Sequence, residues 1–328
     1  MRNWQRLGLS GQKPSEPVKA HAPHGDGRRG GAPRAVELDT PVIVPEPGGN
    51  GQPGTNGTGK NPNRSGPMPH PARHLNSKHL FDHWKQVQRR LAAAKHLAIF
   101  LDFDGTLAPL RPRPGDARLA QPTRELLRRL ARLPSVTLCI ISGRRRADLQ
   151  KRVNVRRAIY LGLHGWERDT GARSAIAARG LLAPARRLLT QRLSALPHIW
   201  VGDKGPCFEV HYTGASGATI REARTIIGDV LRPLKKEARV LRGRKVWEVL
   251  PREIEGKGTA VRALLAEFPR PVLAIYIGDD TSDESAFQVL HDGITIRVGR
   301  PRRTRARFEL RNPEEVSSFL HRVEAEVA

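Results

Sequence analysis

The stretch "LAIFLDFDGTLAPL", Leu97 to Leu110, decides the fold of this chain. Its apolar start predicts a strand buried on both faces, and this strand ends on two carboxylates, Asp102 and Asp104, followed by Gly105 and Thr106. Side chains two residues apart share one face of a strand, so both carboxylates are delivered to the same place. A buried strand that ends in this way predicts a polar site at its carboxyl end.

Short apolar runs like this one alternate with amphipathic segments from about residue 80 onward. Strands that alternate with helices indicate a Rossmann-like α/β fold with a parallel sheet covered on both faces. The predicted strands are 96–103, 136–142, 158–163, 272–279 and 294–299, and the predicted helices are 122–133, 145–153, 257–268, 282–290 and the C-terminal stretch from 313.

One insert, residues 173–252, breaks this alternation. Two long helical stretches are interleaved there with runs that alternate like half-buried strands, at 206–212, 237–243 and 245–250. This order predicts a small α+β unit with helices on one side of an antiparallel sheet. We expect it to form a cap over a catalytic core made of residues 80–172 and 253–328.

The N-terminal 75 residues differ in composition from the rest of the chain. They are crowded with Gly, Pro, Asn, His and Ser and show no apolar periodicity that could bury a core. They are predicted to be a disordered extension.

The formal net charge is +25, which favours anionic partners in general. There is no zinc-finger spacing and the chain is only 5% aromatic, so neither a nucleic-acid nor a membrane partner is expected. The run "RPRRTRARFELR", Arg300 to Arg311, is the one local segment where such binding is worth testing. No disulfide or metal site is indicated by Cys139 and Cys207, and no continuous apolar stretch is long enough to span a membrane. We expect a cytoplasmic protein.

Polar motifs follow the predicted strands or begin the predicted helices at four points. In an open α/β sheet, ligands bind beyond the carboxyl ends of the strands. Each motif alone also occurs as an ordinary turn, a helix cap or a solvated lysine, but their order along the chain favours one joint site. They are the Asp102/Asp104 pair, "SGR" at Ser142 to Arg144, Lys257 between Gly256 and Gly258, and "GDDTSDE" at Gly278 to Glu284.

These motifs contain five aspartates, and carboxylates gathered in one cleft cannot all ionise without a counter-charge. A hard cation with oxygen ligands supplies that charge, which predicts bound Mg2+. The hydroxyl of Ser142 and the ammonium of Lys257 then mark the place of a phosphate, and the whole set predicts phosphoryl transfer. The five carboxylates belong to Asp102, Asp104, Asp279, Asp280 and Asp283.

In type and order, the motifs from Leu97 to about Gly299 resemble those of the haloacid dehalogenase superfamily. The resemblance implies that Asp102 is the nucleophile and forms an aspartyl-phosphate. It also implies that Asp104 protonates the leaving alcohol and then activates water, as in the phosphatases of this superfamily.

The same resemblance implies ligands for the metal and for the phosphate. Mg2+ would be held by the Asp102 carboxylate, the Asp104 backbone carbonyl and Asp279, with Asp280 and Asp283 as supporting groups. The phosphate would be held by Thr106, Ser142, Gly143 and Lys257.

Four strings in and around the insert are similar to one branch of the superfamily, the trehalose-6-phosphate phosphatases. This resemblance implies hydrolysis of trehalose 6-phosphate to trehalose and phosphate, and a functional link to a trehalose-6-phosphate synthase. The strings are "GLHGWE" (162–167), "FEVHYTG" (208–214), "GRKVWEVLP" (243–251) and "GDDTSDESAF" (278–287).

The insert is predicted to hold the sugar that does not react. Alternatively, Glu248 faces solvent and His211 is a structural histidine, while Trp166 and Trp247 either stack on a sugar or pack in a core. The residues predicted to contact this sugar are Glu167, His211, Arg244, Lys245 and Glu248.

Two alternatives stay open for the function. Thr213 and Leu250 stand where the family usually carries arginine, and Ser282 replaces a threonine, so the substrate is either trehalose 6-phosphate or another sugar phosphate, such as sucrose 6-phosphate or mannosyl-3-phosphoglycerate. The other alternative is a binding protein that uses its basic surface on nucleic acid or an anionic membrane. Five converging aspartates disfavour it.

Overall fold

The computed structural model describes residues 77–111, 114–168, 180–243, 245–268, 270–300 and 302–328. The extension predicted at residues 1–75 lies outside the described residues, as does Arg244. Among the residues described, no helix is both long and apolar enough to cross a membrane.

Strands and helices alternate along most of the described chain. The strands are β1 (Lys78–His79), β2 (Leu97–Leu101), β3 (Val136–Ile141), β4 (Ile159–Leu161), β5 (Trp200–Asp203), β6 (Phe208–His211), β7 (Ala238–Gly243), β8 (Val246–Pro251), β9 (Leu273–Gly278), β10 (Ile294–Val298) and β11 (Phe308–Leu310). The helices are α1 (Trp84–Ala92), α2 (Gln121–Leu130), α3 (Arg146–Val153), α4 (Ala183–Leu193), α5 (Gly217–Leu231), α6 (Lys257–Leu265), α7 (Glu284–Val289) and α8 (Pro313–Val327).

Seven strands form a parallel sheet in the order β1-β11-β10-β9-β2-β3-β4. All five residues of β2, "LAIFL", are buried, because this strand lies inside the sheet and is covered on both faces. The chain runs outward from β2 to β4 on one side and from β9 to β11 on the other, so the strand order reverses between β2 and β9. Ligands bind at such a reversal in open α/β sheets.

Helices cover both faces of the parallel sheet. Alternate residues of β2 face opposite ways, so Ile99 packs in a cluster with α1, α2, α3 and α8, whereas Phe100 packs with α6 and α7. Local signals set the start of α8: the Asn312 side chain accepts a hydrogen bond from the Glu315 backbone N–H, and Pro313 is the first residue of the helix. The predicted α/β fold class with a parallel sheet core is confirmed.

The second sheet is antiparallel, with the order β5-β6-β8-β7. Phe208, Val210 and Val249 pack with α4 and α5 in one apolar cluster. Alternation places Glu209 and Glu248, which are directly paired across β6 and β8, on the opposite face. We call this opposite face, which carries Glu209 and Glu248, the open face. It meets the loops at the carboxyl end of the parallel sheet.

The sequence prediction omitted the short strands β1, β5 and β11 and the helix α1. Strands of two to four residues are too short for period-two alternation to be distinguished from a loop. The division of the chain into a core and a separate cap domain at 173–252 stays a prediction, and residues 169–179 lie outside the described part.

Candidate active site

Asp102 lies directly after β2, at the reversal of strand order, with a relative exposure of 4%. Its Oδ1 accepts a hydrogen bond from Lys257 Nζ at 2.7 Å, and its backbone N–H donates to the carbonyl of Ile277 on β9. Lys257 is the first residue of α6 and is itself 2% exposed. The two motifs predicted to meet, although 155 positions apart, are thus in direct contact.

Asp283 holds the lysine from the other side. Its Oδ1 accepts hydrogen bonds from Lys257 Nζ at 2.8 Å and from the Tyr276 hydroxyl at 2.7 Å, and its Oδ2 accepts from the backbone N–H of Asp280 at 2.9 Å. Burial alone would lower the pKa of Lys257, but Asp102 and Asp283 hold it well above its usual range. The lysine is therefore a permanent positive charge inside the site.

Three carboxylates, from Asp102, Asp279 and Asp283, have oxygens within 4.8 Å of one another. The Oδ1 atom of Asp279 is buried without a hydrogen-bond partner, and a Cβ at Gly105 would lie 2.2 Å from its Oδ2. Only glycine permits this approach, and Gly105 also has a φ of +85°.

Charge is crowded in this cluster. Burial raises the pKa of Asp102 to about 7, with Asp283 and Asp104 adding to the rise and Lys257 opposing it. Burial and the neighbouring carboxylates Asp102 and Asp283 also raise the pKa of Asp279. An orphaned buried oxygen beside carboxylates that resist ionisation fits a hard divalent cation.

Asp104 points to a different partner. Arg144 Nη2 and Nε donate to its Oδ1 and Oδ2 at 2.6 and 2.7 Å, and Arg144 Nη1 donates to Asp148 at 2.9 Å. Asp104 and Asp280 contribute no oxygen to the three-carboxylate cluster described above. Arg144 was not named as a site residue from the sequence, although it is the third residue of the "SGR" motif.

Two hydroxyl residues follow central strands of the parallel sheet, Thr106 after β2 and Ser142 after β3. Thr106 is fully buried, and its Oγ1 has no hydrogen-bond partner. Ser142 is 2% exposed, and its Oγ accepts from the backbone N–H of Arg144 at 3.2 Å, which leaves the hydroxyl hydrogen to donate. Both hydroxyls can thus donate to an anion.

The open face of the antiparallel sheet reaches the "SGR" loop through Glu248. Its Oε2 is 2.7 Å from His164 Nε2, and its Oε1 accepts from Lys204 Nζ at 2.9 Å. Lys204 Nζ also donates to the carbonyl of Gly143 at 2.8 Å. Burial would raise the pKa of Glu248, but His164 and Lys204 hold it well below its usual range, so this carboxylate is ionised.

The sequence prediction missed His164 and Lys204. The "GLHGWE" string contains His164, whose φ of +59° is rare for a non-glycine residue and lies in the turn Leu163–Gly165. A Cβ at Gly143 would lie 3.1 Å from this imidazole ring, so the glycine allows the ring to approach the loop.

Glu167, predicted to contact a sugar, is held by α3. Its Oε1 accepts from Arg145 Nε at 2.7 Å and its Oε2 from the backbone N–H of Arg146 at 2.7 Å. A carboxylate at this position stabilises the start of a helix. Arg145 Nη1 also donates to the Lys204 carbonyl at 3.2 Å, which ties α3 to the loop after β5.

His211 and Lys245 are the other described residues predicted to contact a sugar, and they lie on different elements of the antiparallel sheet. His211 is 7% exposed on β6, with its Nε2 3.1 Å from Glu209 Oε2. Lys245 is exposed in the turn between β7 and β8, where its carbonyl accepts from the Tyr212 backbone N–H. Trp247 packs in the apolar cluster beneath the sheet, and Trp166 packs against a smaller one.

A trehalose-phosphatase family model matches residues 100–313. The chain belongs to the trehalose-phosphatase family. The predictions of this family and of a phosphatase enzyme are confirmed.

Individual members of the family agree with this assignment. The chain is 32% identical to the probable trehalose-phosphate phosphatase 9 of Oryza sativa subsp. japonica, covering 71% of each chain. It is 33% identical to the trehalose-phosphate phosphatase of Mycolicibacterium paratuberculosis, covering 70% of this chain and 63% of that protein.

The C-terminal domain of the C. albicans trehalose-6-phosphate phosphatase has a similar fold. The TM-score is 0.63 at 19% identity, over 76% of this chain and 98% of that one.

The departures from the trehalose-phosphatase pattern lie in different surroundings. Leu250 is fully buried with Leu163, Cys207 and Ile254 between the antiparallel sheet and the loop after β4, where an arginine would need polar partners. Thr213 is exposed beyond the end of β6. Ser282, in the turn before α7, keeps a hydroxyl.

Proposed function

We propose that this protein hydrolyses trehalose 6-phosphate to trehalose and phosphate through an aspartyl-phosphate intermediate. The observation that carries the proposal is the buried Asp102 carboxylate, held by Lys257 at the reversal of strand order in a chain of the trehalose-phosphatase family.

In the first step, a carboxylate oxygen of Asp102 attacks the phosphorus of the ester. A P–O bond to Asp102 forms while the P–O bond to the sugar breaks, and Asp104 gives its proton to the departing sugar oxygen. Asp104 leaves this step as a carboxylate, and the guanidinium of Arg144 stabilises the new negative charge.

In the second step, Asp104 takes a proton from a water molecule, whose oxygen attacks phosphorus. The P–O bond to Asp102 breaks, phosphate is released and Asp102 regains its carboxylate. The same residue serves as acid and then as base, because the first step leaves it in the state that the second requires.

The phosphate is held by groups already directed at the end of β2. Lys257 donates two of its N–H groups to Asp102 and Asp283, and its third N–H group can donate to the phosphate. The hydroxyls of Thr106 and Ser142 donate as well, and Gly143 lets the "SGR" loop approach closely.

The site would hold Mg2+ through Asp102, Asp279 and the backbone carbonyl of Asp104. Asp283 acts as a support, because its oxygens already bind Lys257, Tyr276 and the backbone N–H of Asp280. When bound, Mg2+ supplies positive charge that offsets the carboxylates and the phosphoryl oxygens.

The open face of the antiparallel sheet covers the site and selects the sugar. Glu248 and Lys204 belong to it and already touch the loop next to Ser142, so their carboxylate and ammonium lie where sugar hydroxyls must pass. Glu167 binds the start of α3, and its contact with the sugar stays a prediction. Cytoplasmic location, a functional link to a synthase and the absence of nucleic-acid or membrane partners stay predictions.

A panel of substrates tests this function. Purified protein with Mg2+ is incubated with trehalose 6-phosphate, sucrose 6-phosphate, mannosyl-3-phosphoglycerate and glucose 6-phosphate, and released phosphate is measured. We expect trehalose 6-phosphate to have the highest kcat/KM, and preference for another ester would reassign the substrate. Asp102→Asn should abolish turnover of every ester in the panel.

A further inference from the structure

The open face carries an aromatic platform at its outer end, made of Trp200 on β5 and His211 on β6. Their ring centroids are 3.7 Å apart and the ring planes differ by 8°. His211 is 7% exposed, whereas Trp200 is 46% exposed. Because one face of the indole lies against the imidazole, the exposed surface belongs to its other face and its edges.

Gly202 allows the indole to lie flat. It is two residues along β5 from Trp200 and shares its face of the strand. A Cβ at Gly202 would lie 2.9 Å from Trp200 Cζ3 and 3.8 Å from Glu209 Oε2. Any larger residue at this position would therefore push the ring away from His211.

Charged groups line the open face beside the platform. Glu209 Oε2 lies 3.1 Å from His211 Nε2, and Glu209 Oε1 lies 2.5 Å from Lys204 Nζ, which also binds Glu248. Burial would raise the pKa of Glu209, but Lys204 and His211 hold it below its usual range. The carboxylate is therefore an ionised acceptor for hydroxyl groups.

The platform and the phosphate site lie at two ends of one surface. Gly202, Glu209 and Glu248 are aligned across β5, β6 and β8. Trp200 is two residues along β5 from Gly202, so at the usual strand spacing and rise it lies about 12 Å from Glu248. Glu248 in turn contacts His164, next to Gly143 in the "SGR" loop. A ligand anchored by its phosphate needs a second ring to reach the indole.

We propose that Trp200, held flat by His211 and Gly202, stacks on the sugar ring remote from the phosphate and makes this enzyme select saccharide phosphates of at least two rings. The C–H groups of one pyranose face pack on the electron-rich indole face, and hydroxyls at the ring edge donate to Glu209. The inference rests on the proposed function and adds Trp200 and Glu209 to its substrate contacts. His211 positions the indole and does not itself touch sugar.

Kinetics of Trp200→Ala test the platform. We expect KM for trehalose 6-phosphate to rise about 2- to 10-fold, the loss typical of one aromatic stacking contact. The ratio of kcat/KM for trehalose 6-phosphate to kcat/KM for p-nitrophenyl phosphate should fall by the same factor. Trp200→Phe keeps an aromatic face and should recover most of the ratio.

Val240→Ala is the matched control. Val240 is a 45% exposed apolar residue on β7, the opposite edge strand. Its removal should leave the ratio of the two substrates as in the wild type. An equal ratio in Trp200→Ala and the wild type would overturn the platform, even if trehalose 6-phosphate is the substrate.

A second measurement separates this inference from the proposed function. Oxidation of each tryptophan by N-bromosuccinimide is mapped by mass spectrometry with and without trehalose, and we expect protection at Trp200. If the wild type prefers another saccharide phosphate, the proposed function fails, and the same protection and ratio tests are made with that ester and its sugar. Absence of protection by the sugar of the preferred ester would overturn the platform.

An exposed indole on an edge strand also suits contact with a second copy of the chain. The mass of the wild type and of Trp200→Ala in solution is measured by light scattering. A dimer that Trp200→Ala breaks, together with an unaltered substrate ratio, would assign the indole to self-association and overturn the sugar platform.

Discussion

Arg144 binds both carboxylate oxygens of Asp104, at 2.6 and 2.7 Å, so the group proposed to carry protons is held in one orientation by a planar guanidinium. The guanidinium also lies 5.4 Å from the centre of the Phe103 ring and contacts Asp148. Lysine cannot reproduce this forked geometry. In the proposed mechanism, the "SGR" motif thus supplies a serine to the phosphate and an arginine to the proton donor.

Arg144→Ala is expected to lower kcat about 10- to 100-fold, part of the gain that acid–base catalysis provides. KM should change less, because Arg144 is not proposed to touch the sugar. Arg144→Lys should recover little activity. Steady-state rates across pH check this, since a residue that orients the acid shifts the pH profile of kcat as well as its height.

The control for this prediction is Arg152→Ala. Arg152 binds Asp148 at 2.9 Å, as Arg144 does, but makes no hydrogen bond to Asp104 in the described structure. Wild-type kcat and pH profile in Arg144→Ala would refute the positioning role.

Asp283→Asn tests the buried charge balance around Lys257. The substitution leaves the ammonium with Asp102 as its remaining carboxylate partner, and breaking such a pair costs about 3–5 kcal/mol. Tyr276→Phe removes one hydrogen bond to the same carboxylate and should cost about 1.5–3 kcal/mol. Urea unfolding at neutral pH measures both, and a smaller loss for Asp283→Asn than for Tyr276→Phe would contradict this order.

Removal of Mg2+ should change stability in a pH-dependent way. Burial, chiefly, raises the pKa of Asp102 from 3.8 to about 7. The folded, metal-free chain then binds more protons than the unfolded chain between these values, so this group's contribution to stability falls as pH rises through that window. Cation and proton compete for the same carboxylate, so added Mg2+ should raise Tm more at pH 8 than at pH 6.

Thermal unfolding with and without Mg2+ at the two pH values checks this prediction. Asp102→Asn, which cannot ionise, should give a smaller and flatter difference. Equal Mg2+ shifts at pH 6 and pH 8 in the wild type would show that Asp102 is not the group in competition.

The parallel sheet was predictable from the sequence because most of its strands are apolar runs. Such a run can be recognised without knowing which other segments it contacts. The sequence also predicted that Asp102 and Lys257 would meet. Asp102 follows a strand and Lys257 begins a helix, and such positions gather at the carboxyl edge of a parallel sheet. The network of His164, Lys204 and Glu209 was not predictable in this way. It depends on how two sheets approach, as in the contact between His164 and Glu248, 84 positions apart.

Glu248→Gln tests whether that network joins the antiparallel sheet to the "SGR" loop. His164 and Lys204 hold the pKa of Glu248 far below its usual value of 4.5 despite burial, so its stabilising contribution is present above pH 4.5 and is lost as pH falls further. At pH 7 the substitution should cost about 3–5 kcal/mol, because it leaves Lys204 and His164 with an uncharged partner. The deficit in unfolding free energy relative to the wild type, measured by urea unfolding, should shrink below pH 4.

Exposed Glu253→Gln is the control and should differ from the wild type at neither pH. A deficit that stays constant with pH would mean that the Glu248 charge does not hold the sheet to the loop.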